Sequence, residues 1–386
     1  MILLNLEYPD LKEKRWVKIE GNLIAAEGPA AGIKNNHDTE TVEFENAIAF
    51  PGLINSHDHL EFNLFPKLGN KKYEDYIEWG VDIHKKDPGI IEEILRIPFS
   101  LRMEYGIYKN ILNGVTTVAH HGNCNSFKSY LIDIISNYNY LHSVRLENNW
   151  RLKLNLKPNK LPFVIHVGEG SNIESYSEIN QIISWNLFNR ELIGIHGISI
   201  DPDQAKKFRA LVWCPVSNYF LYGRTSNINE LKGKTTILFG TDSNVSADWD
   251  LWRHLCFARD TGLLDDKELF RSITTEAAVV WKLKNKGTLA PGSIADIVIA
   301  EKKGDNYFDS FFAVKPENIL LLLSRGKIIL YDSKLSGQLQ KLNIDQNKFT
   351  GIKIGGRKKY VYGRLDELCS SIKTYASNVS FPFEIS

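Results

Sequence analysis

His57 and His59, separated by Asp58, close the run AIAFPGLINSHDHL that begins at Ala47. On a strand, residues two apart share a face. Two imidazoles at that spacing aim at one ion, while Ser56 and Asp58 point elsewhere. His166 ends LPFVIHV, and Glu169 follows it by three. A histidine closing an apolar strand is costly to bury unless it is paired or ligated. His196 ends ELIGIHG, and Asp242 lies in FGTDS. Taken singly, each has a plainer reading: a polar residue leaving a strand end or, for Asp242, a helix cap. Together they offer imidazoles and a carboxylate, the donor set of a zinc-like ion with an open position for water. The expected cofactor is one divalent ion, zinc first and iron(II) second.

Strand-like and helical segments supply the scaffold. Residues 2–7, 15–19 and 22–26 read as short antiparallel strands broken by turn residues such as Glu20-Gly21. From Tyr73 to Asn113 apolar residues recur at helical spacing; Trp79 and His84 lie on this segment within reach of a pocket rim, with core packing the expected role of Trp79. Then come strands at 115–118, 140–146, 161–167, 191–197, 210–216 and 235–242, with helical segments such as ESYSEINQIISWNLF and DPDQAKKFRA between them. Strands alternating with helices predict parallel βαβ units. Active sites of parallel barrels form at the C-terminal strand ends, where every histidine above and Asp242 fall. After Trp281 the chain returns to strands at 294–301 and to a hairpin around Arg325-Gly326. The fold expected is α/β: a (β/α)8, TIM-like and trimmed barrel with a small β-sandwich built by both chain ends. The boundaries expected are 1–48 for the N-terminal section of the β-sandwich, 49–284 for the barrel, and 285–386 for the C-terminal section of the β-sandwich with a C-terminal extension. In that extension GIKIGGRKKYVYG reads as a hairpin, RLDELCSSIKTYA as an amphipathic helix, and Arg357-Lys358-Lys359 as a solvated loop.

Composition narrows the partners. Among 386 residues, 47 Lys and Arg face 46 Asp and Glu, so no excess charge is available to hold a nucleic-acid backbone. Cys124, Cys214, Cys256 and Cys369 are scattered without a CxxC pair, which suits a reducing compartment and not a cysteine zinc site. No basic leader or membrane-length apolar run is visible. The expectation is a cytoplasmic protein with a small-molecule substrate, no nucleic-acid or membrane partner, and at most a second copy of itself as a homodimer.

The motifs PGLINSHDH (51–59), GVTTV (114–118), HVGEG (166–170), GIHG (194–197), WCPVSN (213–218), FGTDS (239–243) and TLAPGSIADIVI (288–299) resemble the amidohydrolase superfamily. The resemblance is to its single-metal branch, with guanine and cytosine deaminases and chlorotriazine hydrolases. It implies that His57, His59, His166 and Asp242 bind the metal. Glu169 then shuttles protons to a ring nitrogen, and His196 hydrogen-bonds the attacking water or the tetrahedral intermediate. Asp242 also accepts the water's proton. No lysine ends a strand before His166, since Lys160 precedes that strand, which speaks against a two-metal site.

Around this set stand lesser candidates: His121 and Asn218 for substrate contact, and Arg145 for an anionic group or a surface ion pair. Cys214 is expected as a buried small side chain and not a nucleophile. Only 107 positions separate His59 from His166, and about 43 remain between Val118 and the strand at Leu161. A βα unit needs roughly 30 residues, so one helix is missing there or one strand is irregular. The function expected is a metal-dependent hydrolase, foremost a deaminase of an amino-substituted heterocycle. The alternatives are hydrolysis of a cyclic amide or imidazolone, dechlorination at the same site, and a non-catalytic binding barrel.

Overall fold

The computed structural model describes residues 1–9, 11, 13–32, 40–123, 129–156 and 160–386; Cys124 lies outside them. Both chain ends contribute to one ten-stranded sheet. Its N-terminal strands are β1 (Ile2–Glu7), β2 (Arg15–Glu20), β3 (Leu23–Pro29) and β4 (Thr41–Pro51). The barrel strands follow: β5 (Leu53–Asp58), β6 (Val115–His120), β7 (Asp133–Ile135), β8 (Asn139–Tyr140), β9 (Phe163–Val167), β10 (Leu192–His196), β11 (Phe208–Trp213) and β12 (Thr236–Phe239). The chain then returns to the end sheet as β13 (Ile297–Glu301), β14 (Ile319–Ser324), β15 (Lys327–Asp332), β16 (Phe349–Ile354), β17 (Arg357–Tyr362) and β18 (Glu384–Ile385). The order in that sheet is β18-β16-β17-β15-β14-β13-β4-β1-β2-β3. The β-domain expected from both chain ends is present, its strands joined in one sheet, with Leu3, Val17, Ile24, Phe44, Ile299 and Leu321 in a shared core.

Arg325 and Gly326 both have positive φ (50° and 74°) and turn the tight β14–β15 hairpin. Arg357–Lys359 corrects the expectation of a solvated loop. These residues lie in β17, and the buried Lys359 ammonium donates to Ile319 O (2.6 Å) and Asp332 Oδ2 (3.0 Å). A partner carboxylate on the neighbouring strand lets a lysine be buried.

The barrel wall is parallel, and its side chains alternate. Phe163, Ile165 and Val167 pack outward with the large core, whereas Val164 packs inward with Ile193, Ile195 and Leu238. Between β7 and β8 lie only residues 136–138, which reach about 10 Å at most. A parallel crossover needs at least about 10–12 residues. Yet β7 pairs parallel with β6, and β8 pairs parallel with β9. The two are successive segments of one stave, the first half bonded to one neighbour and the second half to the other. Among the described residues the wall thus has seven staves, and one βα unit is missing where the sequence is short. The strand expected at 140–146 shrinks to Asn139–Tyr140, and its lower half, Asp133–Ile135, has too short a pattern to read. Closure comes from the Thr241 and Asp242 N–H groups, which both donate to His57 O at 3.1 Å.

The helical stretch after β5 divides at two prolines into α1 (Tyr76–Lys86), α2 (Pro88–Arg96) and α3 (Phe99–Leu112). Pro88 opens α2, where its missing N–H costs nothing, and Pro98 caps α3. No helix among the described residues is long and apolar enough to cross a membrane.

Candidate metal centre and its acid

Strict alternation would not bring these side chains together. In β5, Ile54 packs inward and the Ser56 hydroxyl accepts from inward-facing Trp281 Nε1 (3.1 Å), so His57 should face outward. The β5–β6 register shifts between Asn55 and Asp58. A bulge re-aims the residues beyond it, and His57 and His59 turn inward while Asp58 turns out. On β10, Ile193 and Ile195 point in, so His196 should point out. Its φ is +67°, a left-handed value rare outside glycine, and the ring swings into the site. Asp242 likewise has φ +58°. Such strain, of order 1–3 kcal/mol per residue, collects where function needs it. Gly240 permits the close approach: a Cβ there would lie 2.8 Å from that of His57.

The result is a buried cluster. His166 Nε2 lies 3.3 Å from His57 Nε2, and Asp242 Oδ1 lies 3.7 Å from His57 Nε2 and 3.9 Å from His59 Nε2. Two nitrogens bound about 2.0–2.1 Å from one tetrahedral ion stand about 3.3–3.4 Å apart. His166 Nδ1 bonds His142 O at 2.9 Å, which fixes its ring and leaves Nε2 bare toward His57. Burial holds His57, His59 and His166 below the usual imidazole range, in the neutral form that metal binding needs. Burial alone would raise the Asp242 carboxyl, but its interactions with His57, His196 and His59 keep it well below the ordinary range. Oδ2 of Asp242 accepts from Ser217 (2.7 Å) and Ser246 (2.6 Å), which leaves Oδ1 turned to the histidines. The ligand atoms of His57, His59 and Asp242 lie within 4.8 Å of one another, as do those of His57, His166 and His196, and this donor chemistry fits a divalent ion at the cluster.

Glu169 stands beside this cluster. Tyr222 donates to its Oε1 at 2.8 Å, and the same oxygen is 3.7 Å from His196 Nε2. Burial pushes the Glu169 carboxyl above its ordinary range. His196 Nδ1 donates to Asn218 Oδ1 at 2.8 Å, and Asn218 Nδ2 in turn donates to Thr225 Oγ1 at 3.0 Å. That chain orients the His196 ring with Nε2 toward Glu169.

Not every residue singled out from the sequence reaches the cavity. His59, His166, Glu169, His196 and Asp242 line it, as do Trp79 and His84 on α1. His121 and Asn218 are buried and do not. His121 Nε2 bonds Leu141 O (2.9 Å) and ties β6 to the divided stave, while Asn218 acts through His196. Arg145 is paired with Asp75 (2.7 Å) and Glu178 (3.3 Å). Cys214 is buried, and burial raises its thiol well above the reactive range.

Sequence reading missed Ser217, Tyr222, Ser246, His142 and Lys109. Tyr222 was findable, because it lies four residues beyond Asn218 on one helix and so on the same face. Lys109 of α3 is buried behind the cluster. Its Nζ donates to Asn63 Oδ1 (2.9 Å), Asp58 Oδ2 (3.2 Å) and Asp242 O (3.4 Å).

Residues 157–329 match the model of the amidohydrolase family. An uncharacterized protein of Methanocaldococcus jannaschii is 21% identical over 318 residues, 71% of this chain and 83% of its own length. Among solved structures, a zinc-bound adenosine deaminase from Xanthomonas campestris is 14% identical with a TM-score of 0.68, covering 98% of each chain. Atrazine chlorohydrolase from Arthrobacter aurescens TC1, complexed with zinc and atraton, is 16% identical (TM-score 0.63, 97% of this chain and 99% of its own). Guanine deaminase from C. acetobutylicum with bound guanine is 15% identical (TM-score 0.64, 85% and 99%). Identities this low speak for the fold. The family match and that fold bear out the superfamily resemblance carried by the motifs.

Proposed function

We propose that this amidohydrolase-type chain is a metal-dependent hydrolase of carbon–nitrogen bonds other than peptide bonds, and specifically a deaminase of an amino-substituted heterocycle. The observation that carries the proposal is Glu169. It is a buried acid, not one of the four proposed ligands, and it shares the cavity with three of them, His59, His166 and Asp242. His57, His59, His166 and Asp242 would hold a divalent ion, which would supply a Lewis acid able to lower the pKa of water toward about 7.

The remaining work belongs to side chains. Asp242 Oδ1, with its sister oxygen occupied by two serine hydroxyls, takes a proton from the attacking water. Glu169 delivers one proton to the ring nitrogen beside the attacked carbon. His196, oriented by Asn218, hydrogen-bonds the oxygen that adds to that carbon. When the tetrahedral carbon collapses, the proton held by Asp242 passes to the departing amine and ammonia leaves, while Glu169 takes up the proton of the added hydroxyl, so both carboxyls return to their starting states. The balance is one water consumed, one exocyclic C–N bond broken and one C–O bond formed. Positioned acid–base catalysis of this kind is worth roughly 10²–10⁴ in rate.

Ammonia release over a panel of aminopurines, aminopyrimidines, aminopterins and aminotriazines tests the proposal. Release from at least one ring by the zinc-loaded protein is the expected result. If a cyclic amide is opened, or a chloride displaced, while every amine is left intact, the deaminase assignment fails.

A further inference from the structure

The cavity, about 320 Å³, has two unlike ends. Its inner end holds His59, His166, His196, Glu169 and Asp242. Its outer end is walled by Phe62, Phe65, Leu68, Trp79, Ile83 and Val245, drawn from the segment after β5, from α1 and from the loop after β12. The polar atoms in that wall are already engaged. Trp79 Nε1 donates to Leu68 O at 2.9 Å, and Tyr76 OH donates to Glu178 Oε2 at 3.1 Å. At the rim, His84 Nδ1 bonds Gly80 O at 2.8 Å.

Charge tells the same story. Among the described residues no lysine or arginine lines the cavity, and its carboxylates are Glu169 and Asp242. Arg145 is neutralised by Asp75 and Glu178 and lies over the Tyr76 ring, 4.6 Å from its centroid. Past the rim, Ile91 and Leu95 of α2 carry the apolar surface on to a shallow hollow where Arg96 is paired with Glu92. A phosphate at the outer end would meet no free cation. Against the Phe62, Phe65, Leu68, Ile83 and Val245 surface, sugar hydroxyls would give up water without gaining partners, leaving only the exposed His84 at the rim to pair with them.

We infer that the substrate is a neutral amino-heterocycle bearing an uncharged hydrocarbon substituent. The ring sits at the histidine end and the substituent lies against the α1–α2 wall. The identity of the ring end rests on the deaminase reading; the substituent is read from the wall alone.

The test uses adenine, cytosine and melamine, each carrying an N-butyl, an N-trihydroxybutyl or an N-phosphonobutyl group. Affinity is measured by calorimetry on the zinc-loaded Glu169→Gln protein, and ammonia release on the wild type. For whichever ring binds, the butyl compound should bind at least tenfold more tightly than the trihydroxybutyl one. From ethyl to butyl the gain should be about fourfold per CH₂. The phosphonobutyl compound should bind weakest, and Leu95→Arg, at a position 48% exposed, should narrow that last gap. Equal or tighter binding of a hydroxylated or phosphonate derivative overturns the inference, as does any panel in which butyl adds nothing to its parent ring. Butyl preference without ammonia from any ring would count against the deaminase reading and leave the wall assignment standing.

Discussion

Glu169 carries the largest chemical demand of any single residue. Tyr222 and His196 hold its carboxyl, and burial raises its proton affinity, so it suits the movement of a proton and not the binding of an ion. Glu169→Gln should keep about one ion per chain and lower kcat by about 10²–10⁴. Metal analysis beside steady-state kinetics checks this, and a metal-free variant would make Glu169 a ligand instead. At this scale the sequence was most legible. The HxH pair, HxxE and TDS each end a strand-like run, and those residues do converge. His121 and Asn218 were harder to place. A histidine at a strand end faces the pocket only if nothing covers it, and here the divided stave lies over His121. The aim of His196 was unreadable from alternation, because a left-handed φ reverses it.

Elements place those residues through two devices, the bulge in β5 and the approach of α3. Lys109 on α3 joins Asp58, which sits between the two histidines of β5, to the backbone of Asp242 beyond β12. Asn63 and Asn110 add bonds to Asp58 at 2.9 Å and 2.8 Å. The pair is fully enclosed, with the Asp58 side chain 0% and the Lys109 side chain 2% exposed. Removing one partner from such a pair costs roughly 3–5 kcal/mol. Lys109→Met should therefore lower urea-unfolding stability by about that much and weaken zinc affinity about 10–100-fold, as loss of groups behind metal ligands does. Adding Asp58→Asn should restore most of the stability. An unchanged zinc affinity in Lys109→Met would show that the contact does not position the ligands. None of this was visible in the sequence, where Lys109 reads as an ordinary helix-surface lysine. The helical character of 73–113 was legible from periodicity, but its division into three helices at Pro88 and Pro98 was not read from it.

For the whole molecule, the short interval before His166 foretold a trimmed barrel, and pairing on both sides of residues 136–138 shows how the trimming is done. The end sheet was readable strand by strand but not as one continuous sheet, because long-range pairing leaves no local mark. Stability should depend on pH through its buried imidazoles. His254, on the helix Leu251–Asp260, is buried and donates to Asp248 O at 2.8 Å; burial lowers its pKa to about 4. The unfolded chain protonates this group near 6.5, so its contribution is present above that value and is lost as pH falls from about 6.5 to 4. Urea titrations should show His254→Gln losing less stability than wild type over that window, by up to roughly 3 kcal/mol; parallel losses would contradict the assignment. Everything proposed for this chain depends on its metal centre. Its most direct test is metal content by plasma mass spectrometry on purified wild type, His166→Ala and Asp242→Ala after equal zinc loading and desalting. Wild type should hold about one ion per chain and both variants should lose most of it; a metal-free wild type, or variants that keep a full ion, would contradict a metal centre at these residues.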